Sequence, residues 1–161
     1  MEEFRKMRRF RQEMTAETNE EILKNGIYGI LAVLGDNGYP YTIPVNYAYE
    51  NGNIYIHCAR EGHKLDAIRR SPKVSFCVVD KADVVGKEYT SYFRSVIVFG
   101  KAEILSDEAE IRNVAFLLGE RYRPNHPEDC RKEVDGSISR LCILRIRPDF
   151  ISGKQAKELV K

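Results

Sequence analysis

Residues 27–58 read IYGILAVLGDNGYPYTIPVNYAYENGNIYIHC. IYGILAVL (27–34) is apolar and rich in β-formers, GDNG (35–38) is a turn, and YPYTIPVNYAY (39–49) continues as a second strand. ENGN (50–53) supplies an Asn-Gly turn, after which Ile54 to Cys58 form a third strand. The three strands make an antiparallel meander. The third runs directly into a short helix, 62–71, with Leu65 and Ile68 on one face and Pro72 closing it.

Downstream, KVSFCVVD (73–80) is a fourth strand, and the polar stretch after it carries little signal as far as Glu88. YTSYFRSVIVFGKAEIL (89–105) is a long strand, with Gly100 a bulge or a site of close approach. From Asp107 to Tyr122 the period changes, with Ile111, Val114, Leu118 and Tyr122 spaced for an amphipathic helix. Residues 123–136 read as a loop, ISRLCILRIR (138–147) as a last strand with Leu141, Ile143 and Ile146 in the core, and 151–161 as a tail. Upstream, Thr18 to Glu21 has the form of a capping box leading into a helix that ends at Gly26, and residues 1–14, with the run FRKMRRFR, read as a basic, solvated segment.

This order predicts a mainly β chain with α elements: one domain over 1–161, built as an antiparallel, six-stranded, Greek-key-like barrel with peripheral helices, with an open α+β sheet as the alternative. A small closed barrel has little interior room, so a nucleotide-sized cofactor would lie on its outside or at a subunit contact.

Composition narrows the function. Lys and Arg total 26 against 24 Asp and Glu, a net charge of +2, which argues against a dedicated nucleic-acid binder; an RNA-binding barrel using the basic arm remains a third reading. Cys58, Cys77, Cys130 and Cys142 show no CxxC spacing, which suits reduced thiols in the cytoplasm, and a zinc site drawn from His57, Cys58 and His63 matches no usual ligand pattern, so no metal is assigned. The chain opens on no signal-like apolar core, and no apolar run approaches the roughly 18 residues of a membrane span. A soluble, cytoplasmic protein is expected.

The 62–71 helix opens with His63 and Lys64, where the helix dipole favours acids. An anion bound there would turn the misplaced charges into ligands, with Gly62 permitting close approach; side chains pointing into water are the alternative.

The strand end His57-Cys58-Ala59 followed by Gly62-His63-Lys64 resembles the phosphate-binding segment of the flavin-binding split barrels related to pyridoxamine 5′-phosphate oxidase. Thr42 to Tyr47 is similar to that family's IPVN-type strand, Glu50-Asn51-Gly52 to the turn after it, Tyr92 to Ala102 to the RSV–GKA strand of the nitroimidazole-resistance (Nim-like) branch, and Ile151 to Lys154 to that branch's TGK segment. The likeness spans roughly residues 7 to 155. It implies a homodimer of split barrels with two FMN at the interface. Carried over by position, His57, Cys58, Ala59, Gly62, His63 and Lys64 would hold the ribityl phosphate. Pro44, Val45 and Asn46 would flank the isoalloxazine, and Arg94, Ser95 and Val96 would approach it from a neighbouring strand or the partner subunit.

The activity implied is FMN-dependent reduction of a small acceptor such as a nitroaromatic, with a transient nicotinamide donor, since no Gly-x-Gly-x-x-Gly fingerprint occurs. His57 would donate a proton or anchor a carboxylate, unless it is simply hydrogen-bonded within the barrel. Lys154 would meet the substrate. The C-terminal Arg-x-His clamp of the oxidase proper is missing, which argues against true pyridoxamine-phosphate oxidation. The alternative is a non-catalytic flavin- or haem-binding protein for storage, sensing or trafficking.

Overall fold

Alternating burial lays out the sheet of this computed structural model, which describes residues 4–160. The strands are β1 (Tyr28–Leu34), β2 (Pro40–Asn46), β3 (Ala48–Glu50), β4 (Asn53–Ala59), β5 (Lys73–Val85), β6 (Thr90–Ile104) and β7 (Leu141–Gln155). The helices are α1 (Ala16–Asn25), α2 (His63–Arg70), α3 (Glu108–Tyr122) and α4 (Pro127–Ser137). All strand pairs are antiparallel, in the order β2-β1-β5-β6-β7-β4-β3.

The mainly β class with peripheral helices is as the sequence predicts; the sheet has seven strands where six were expected. Its hydrogen-bonded ladder does not close. The two edge strands, β2 and β3, are nonetheless consecutive in the chain and separated by Tyr47 alone. That single residue brings the two edges of the curled sheet together, so the structure is a split barrel. Tyr47 is fully buried, packs edge-on against Phe76 with ring centroids 5.0 Å apart, and donates its hydroxyl to the Leu23 carbonyl at 2.7 Å. From outside, Tyr122 of α3 donates to the Tyr47 carbonyl at 2.8 Å and the Arg121 guanidinium lies over the Tyr47 ring.

Leu31, Val33, Ile54, Ile56, Phe76, Val78, Val96, Val98, Leu144 and Ile146 fill the barrel. The opposite face of β4 and β7 carries Tyr55 and Ile143, which pack under Val114 and Leu118 of α3. Ala115 of α3 then meets Cys130 and Val134 of α4.

Several boundaries correct the sequence reading. Residues 123–136 are not a loop, because α4 occupies Pro127–Ser137. Pro127 at the first helical position and acidic Glu128 and Asp129 behind it suit a helix start. The weak stretch after residue 80 belongs to β5, which kinks at a bulge between Val79 and Lys81 and continues to Val85. α1 starts one turn before the predicted box: Thr15, not Thr18, is the cap, accepting from the Thr18 amide at 3.3 Å. Gly100 does mark a bulge, between β6 and β7, and a Cβ there would run into the Arg147 carbonyl.

The N-terminal segment is bound to the barrel and not wholly solvated. Phe4 stacks on Phe150 with centroids 4.9 Å apart, Met14 and Gln12 are buried, and the Met14 amide donates to the Gly153 carbonyl at 3.0 Å. Arg5, Lys6, Arg8, Arg9 and Arg11 remain exposed, and residues 1–3 of the segment lie outside the described residues.

Candidate functional site

β4 delivers the chain from the barrel into a loop and then into α2, so the start of α2 sits at the barrel rim. Gly62 caps it with φ +132°, a conformation other residues avoid, and the space where its Cβ would project is open. The first intrahelical bonds run from Leu65 and Asp66 back to the Gly62 carbonyl, which leaves the His63 and Lys64 amides ahead of the ladder, and no side chain caps this end. Uncapped amides, a glycine with room above it and a half-buried lysine form a cradle that fits a phosphate group.

His63 faces differently from its neighbour. Its ring stacks on Tyr41 of β2, centroids 4.3 Å apart at 14°, and its Nε2 lies 3.4 Å from Asp36, which also receives Arg70 at 2.7 Å. The imidazole therefore braces the start of α2 against β2. Lys64 is near enough to Cys58 to act on its thiol, whose pKa is nevertheless pushed up to about 12, by burial first and by neighbouring Cys142 second.

From Tyr41 the strand β2 runs about 17 Å to Asn46. Pro44 and Asn46 are exposed on it, whereas Val45 is turned toward the core and can offer only backbone. The Asn46 amide donates to the Ile27 carbonyl at 3.2 Å. Asn46 pairs with Tyr28, Ile30 with Cys77, and Ser95 with both Val79 and Lys154. Extending the β1–β5 register by two residues sets Tyr28 beside Val79, so Asn46, Tyr28, Val79, Ser95 and Lys154 form one row across the sheet. A path along β2 thus leads from the α2 start to the row that holds Ser95 and Lys154.

Other nominated residues stand apart. Arg94 is engaged by Asp80 at 2.5 Å. Val96 is wholly buried in the barrel, so its side chain cannot reach an external ligand. Cys58 faces the barrel core, whereas Ala59 is exposed. Lys154 has its Nζ 5.4 Å from the Phe93 ring centroid. His57 points to the face opposite Cys58 and lines a cavity of about 470 Å³ between β4, α3 and α4, together with Leu118, Tyr122, His126, Asp129 and Glu133. His57 and Cys58 therefore cannot share a metal ion, and no group of three or more His, Cys, Asp or Glu suited to a metal occurs among the described residues. The α4 contributors to this cavity were missed because their segment reads as loop; the His126-Pro127-Glu128-Asp129 start signal was the available clue. No helix among the described residues is long and apolar enough to cross a membrane.

A sequence profile of the family described as pyridoxamine 5′-phosphate oxidase matches residues 15–155. Comparison with curated protein sequences gives no significant match. Among solved structures, a conserved hypothetical protein from Mycobacterium tuberculosis aligns with TM-score 0.82 at 24% identity, over 96% of this chain and 92% of that one. The FAD and haem binding protein from Mycobacterium smegmatis aligns with TM-score 0.78 at 20% identity, over 91% and 74%. A candidate 5-nitroimidazole antibiotic resistance protein from Bacteroides thetaiotaomicron aligns with TM-score 0.74 at 20% identity, over 89% and 86%. At these identities the likeness shows a shared fold.

Proposed function

The chain belongs to the pyridoxamine 5′-phosphate oxidase family, and from that premise we propose that it is an FMN-binding flavoprotein oxidoreductase that reduces a small acceptor such as a nitroaromatic compound. The observation that carries this reading is the open, uncapped start of α2 at Gly62, with Lys64 beside it and the exposed β2 residues Pro44 and Asn46 leading away. FMN, when bound, takes two electrons from a donor such as a nicotinamide and passes them to the acceptor.

The protein's part is placement. The His63 and Lys64 amides and the Lys64 ammonium hold the phosphate dianion, Gly62 and Ala59 leave room for it, and His63 fixes the helix to β2 through Tyr41. Pro44 and Asn46 border the ring, and Ser95 and Lys154 lie in the row where a substrate would be met, Lys154 offering a cation to an anionic or nitro oxygen. His57, which lines the cavity under α3 and α4, lies apart from this row and takes no part in this reading.

A homodimer is part of this reading. The outer side of β1, β5 and β6 exposes Tyr28, Val79, Ile97 and Phe99, at 61%, 54%, 40% and 41%, an apolar surface suited to burial against a second copy.

The test is an absorbance spectrum of the purified protein with size-exclusion chromatography alongside. Flavin bands on a dimer-sized species, bleached by NADH or NADPH and restored by a nitroimidazole, are expected, and heat release followed by chromatography separates FMN from FAD. A protein that stays colourless after incubation with FMN overturns the reading. The cavity holding both His57 and His126 favours a second reading, a cofactor carrier that binds haem; it predicts a haemin-induced band that His57→Ala abolishes.

A further inference from the structure

Cys58 and Cys142 are direct partners across the β4–β7 ladder, and both face the barrel core. Directly opposed residues of an antiparallel pair have Cα atoms about 4.5–5.5 Å apart, inside the window of about 4.4–6.8 Å that a disulfide spans. The two thiols lie close enough for Cys142 to help raise the Cys58 pKa, and both are free. The other cysteines have no such partner: Cys77 is opposite Ile30 and Ile97, and the Cys130 thiol donates to the Phe116 carbonyl at 3.6 Å. Cys142 is 6% exposed but not sealed. A rim cavity of about 370 Å³, lined by Arg60, Arg69, Leu105, Ser106 and Ile111, ends on it.

We propose that Cys58 and Cys142 form a modification site at which hydrogen peroxide makes a reversible disulfide between β4 and β7. Cys142, reached through the rim cavity, reacts first. Its sulfur forms a bond to one peroxide oxygen as the O–O bond breaks, giving a sulfenic acid and one water. The Cys58 sulfur then bonds to that sulfur, the S–O bond breaks, and the hydroxyl leaves with the Cys58 proton as a second water. Two thiols lose two electrons in total, and one peroxide becomes two waters.

Burial and the adjacent Cys142 raise the Cys58 pKa, so Cys58 is a poor first nucleophile and takes the second step. The position gives the bond a consequence. β4 ends at Ala59, one residue past Cys58, and a short loop carries the chain from there to Gly62, so tying β4 to β7 restrains the strand end that presents the start of α2. Reduced proteins of the cytosol use disulfides in this transient, sensing manner.

The experiment exposes the folded protein to hydrogen peroxide, blocks the remaining thiols, and maps unreduced peptides by mass spectrometry. A linked pair containing Cys58 and Cys142, lighter by two hydrogens and separated by dithiothreitol, is expected, with Cys77 and Cys130 taking the blocking reagent. In Cys58→Ser the Cys142 sulfenic acid is expected to persist and be captured by dimedone. Recovery of both residues as free thiols at peroxide levels that oxidise Cys77, or their separate oxidation without a linked pair, overturns the proposal. The wild-type map needs no variant and no flavin, so it stands or falls apart from the cofactor reading.

Discussion

Replacing Tyr47 with Phe removes one oxygen from the seam of the barrel and leaves the ring in place. That oxygen donates at 2.7 Å to the Leu23 carbonyl, in the last turn of α1, where carbonyls lack helical partners. Losing the donor leaves a buried acceptor unpaired, which costs about 1–3 kcal/mol. For a domain of this size each kcal/mol lowers Tm by about 2–4 °C, so a fall of about 2–12 °C is expected. Alkaline pH supplies a second readout. Burial raises the Tyr47 pKa in the fold, while in the unfolded chain the phenol ionises near the usual value of about 10. The raised value contributes stability that is fully present below about pH 10 and is lost as pH climbs past it. By pH 11 the wild type has lost about 1.4 kcal/mol on this account, provided the folded phenol is still neutral, and Tyr47→Phe has lost none of it. Tyr49, Tyr92 and Cys58, also raised, titrate in both proteins and cancel from the difference. Denaturant unfolding followed by circular dichroism at pH 8 and pH 11 should show the wild-type advantage shrinking by about 1.4 kcal/mol. Equal stability at pH 8, or an advantage unchanged at pH 11, would refute the role given to the hydroxyl.

Three further substitutions probe the packing and the cradle. Gly153→Ala drives a methyl into Asn19 Oδ1 and toward Met14 Cε and should cost about 1–3 kcal/mol, read as a lower melting temperature; an unchanged melt would mean that α1 does not lie against β7 as described. Lys64→Ala should weaken FMN binding about tenfold or more, as for a lost charge-assisted bond. His63→Ala, whose ring is committed to Tyr41 and Asp36, should weaken it less than about threefold, and equal losses in a titration followed by flavin fluorescence would put both side chains on the phosphate.

The β1–β2 hairpin, the turn before β4, the short α2 and the amphipathic α3 were legible because period, turn residues and length agreed in each; the expected second strand over 39–49 instead breaks at Tyr47 into β2 and β3, which lie at opposite edges of the sheet, so no continuous meander forms. α4 was not, since only Cys130 and Val134 of its length are buried and a helix with so narrow an apolar stripe looks like a polar loop. The outer half of β5 was hidden for a similar reason: beyond Val79 it pairs only with β6 and lies largely exposed, so no core imposes alternation on it. In the site, order and spacing along the chain pointed to Gly62 and Lys64, but not to which way a side chain turns. Strand parity sends His57 and Cys58 to opposite faces, and the loop carrying Asp36 takes His63. Such contacts depend on segments far apart in sequence.

The one-residue step at Tyr47 also fixes when this protein can fold. It sets β3 and β4 beyond the seam from β2, and β4 finds its longer partner only in the Leu141–Ile146 part of β7, more than eighty residues on. Met14, near the other end of the chain, waits on Gly153 in the same strand. A nascent chain on the ribosome can form the β1–β2, β3–β4 and β5–β6 hairpins early, but the second edge of β4 stays open until Leu141–Ile146 of β7 emerge. Such long-range pairing belongs to the slower folders, in the range of milliseconds to seconds. During that interval β4 presents Ile54 and Ile56 on an open edge, the stretch that a chaperone would have most reason to cover.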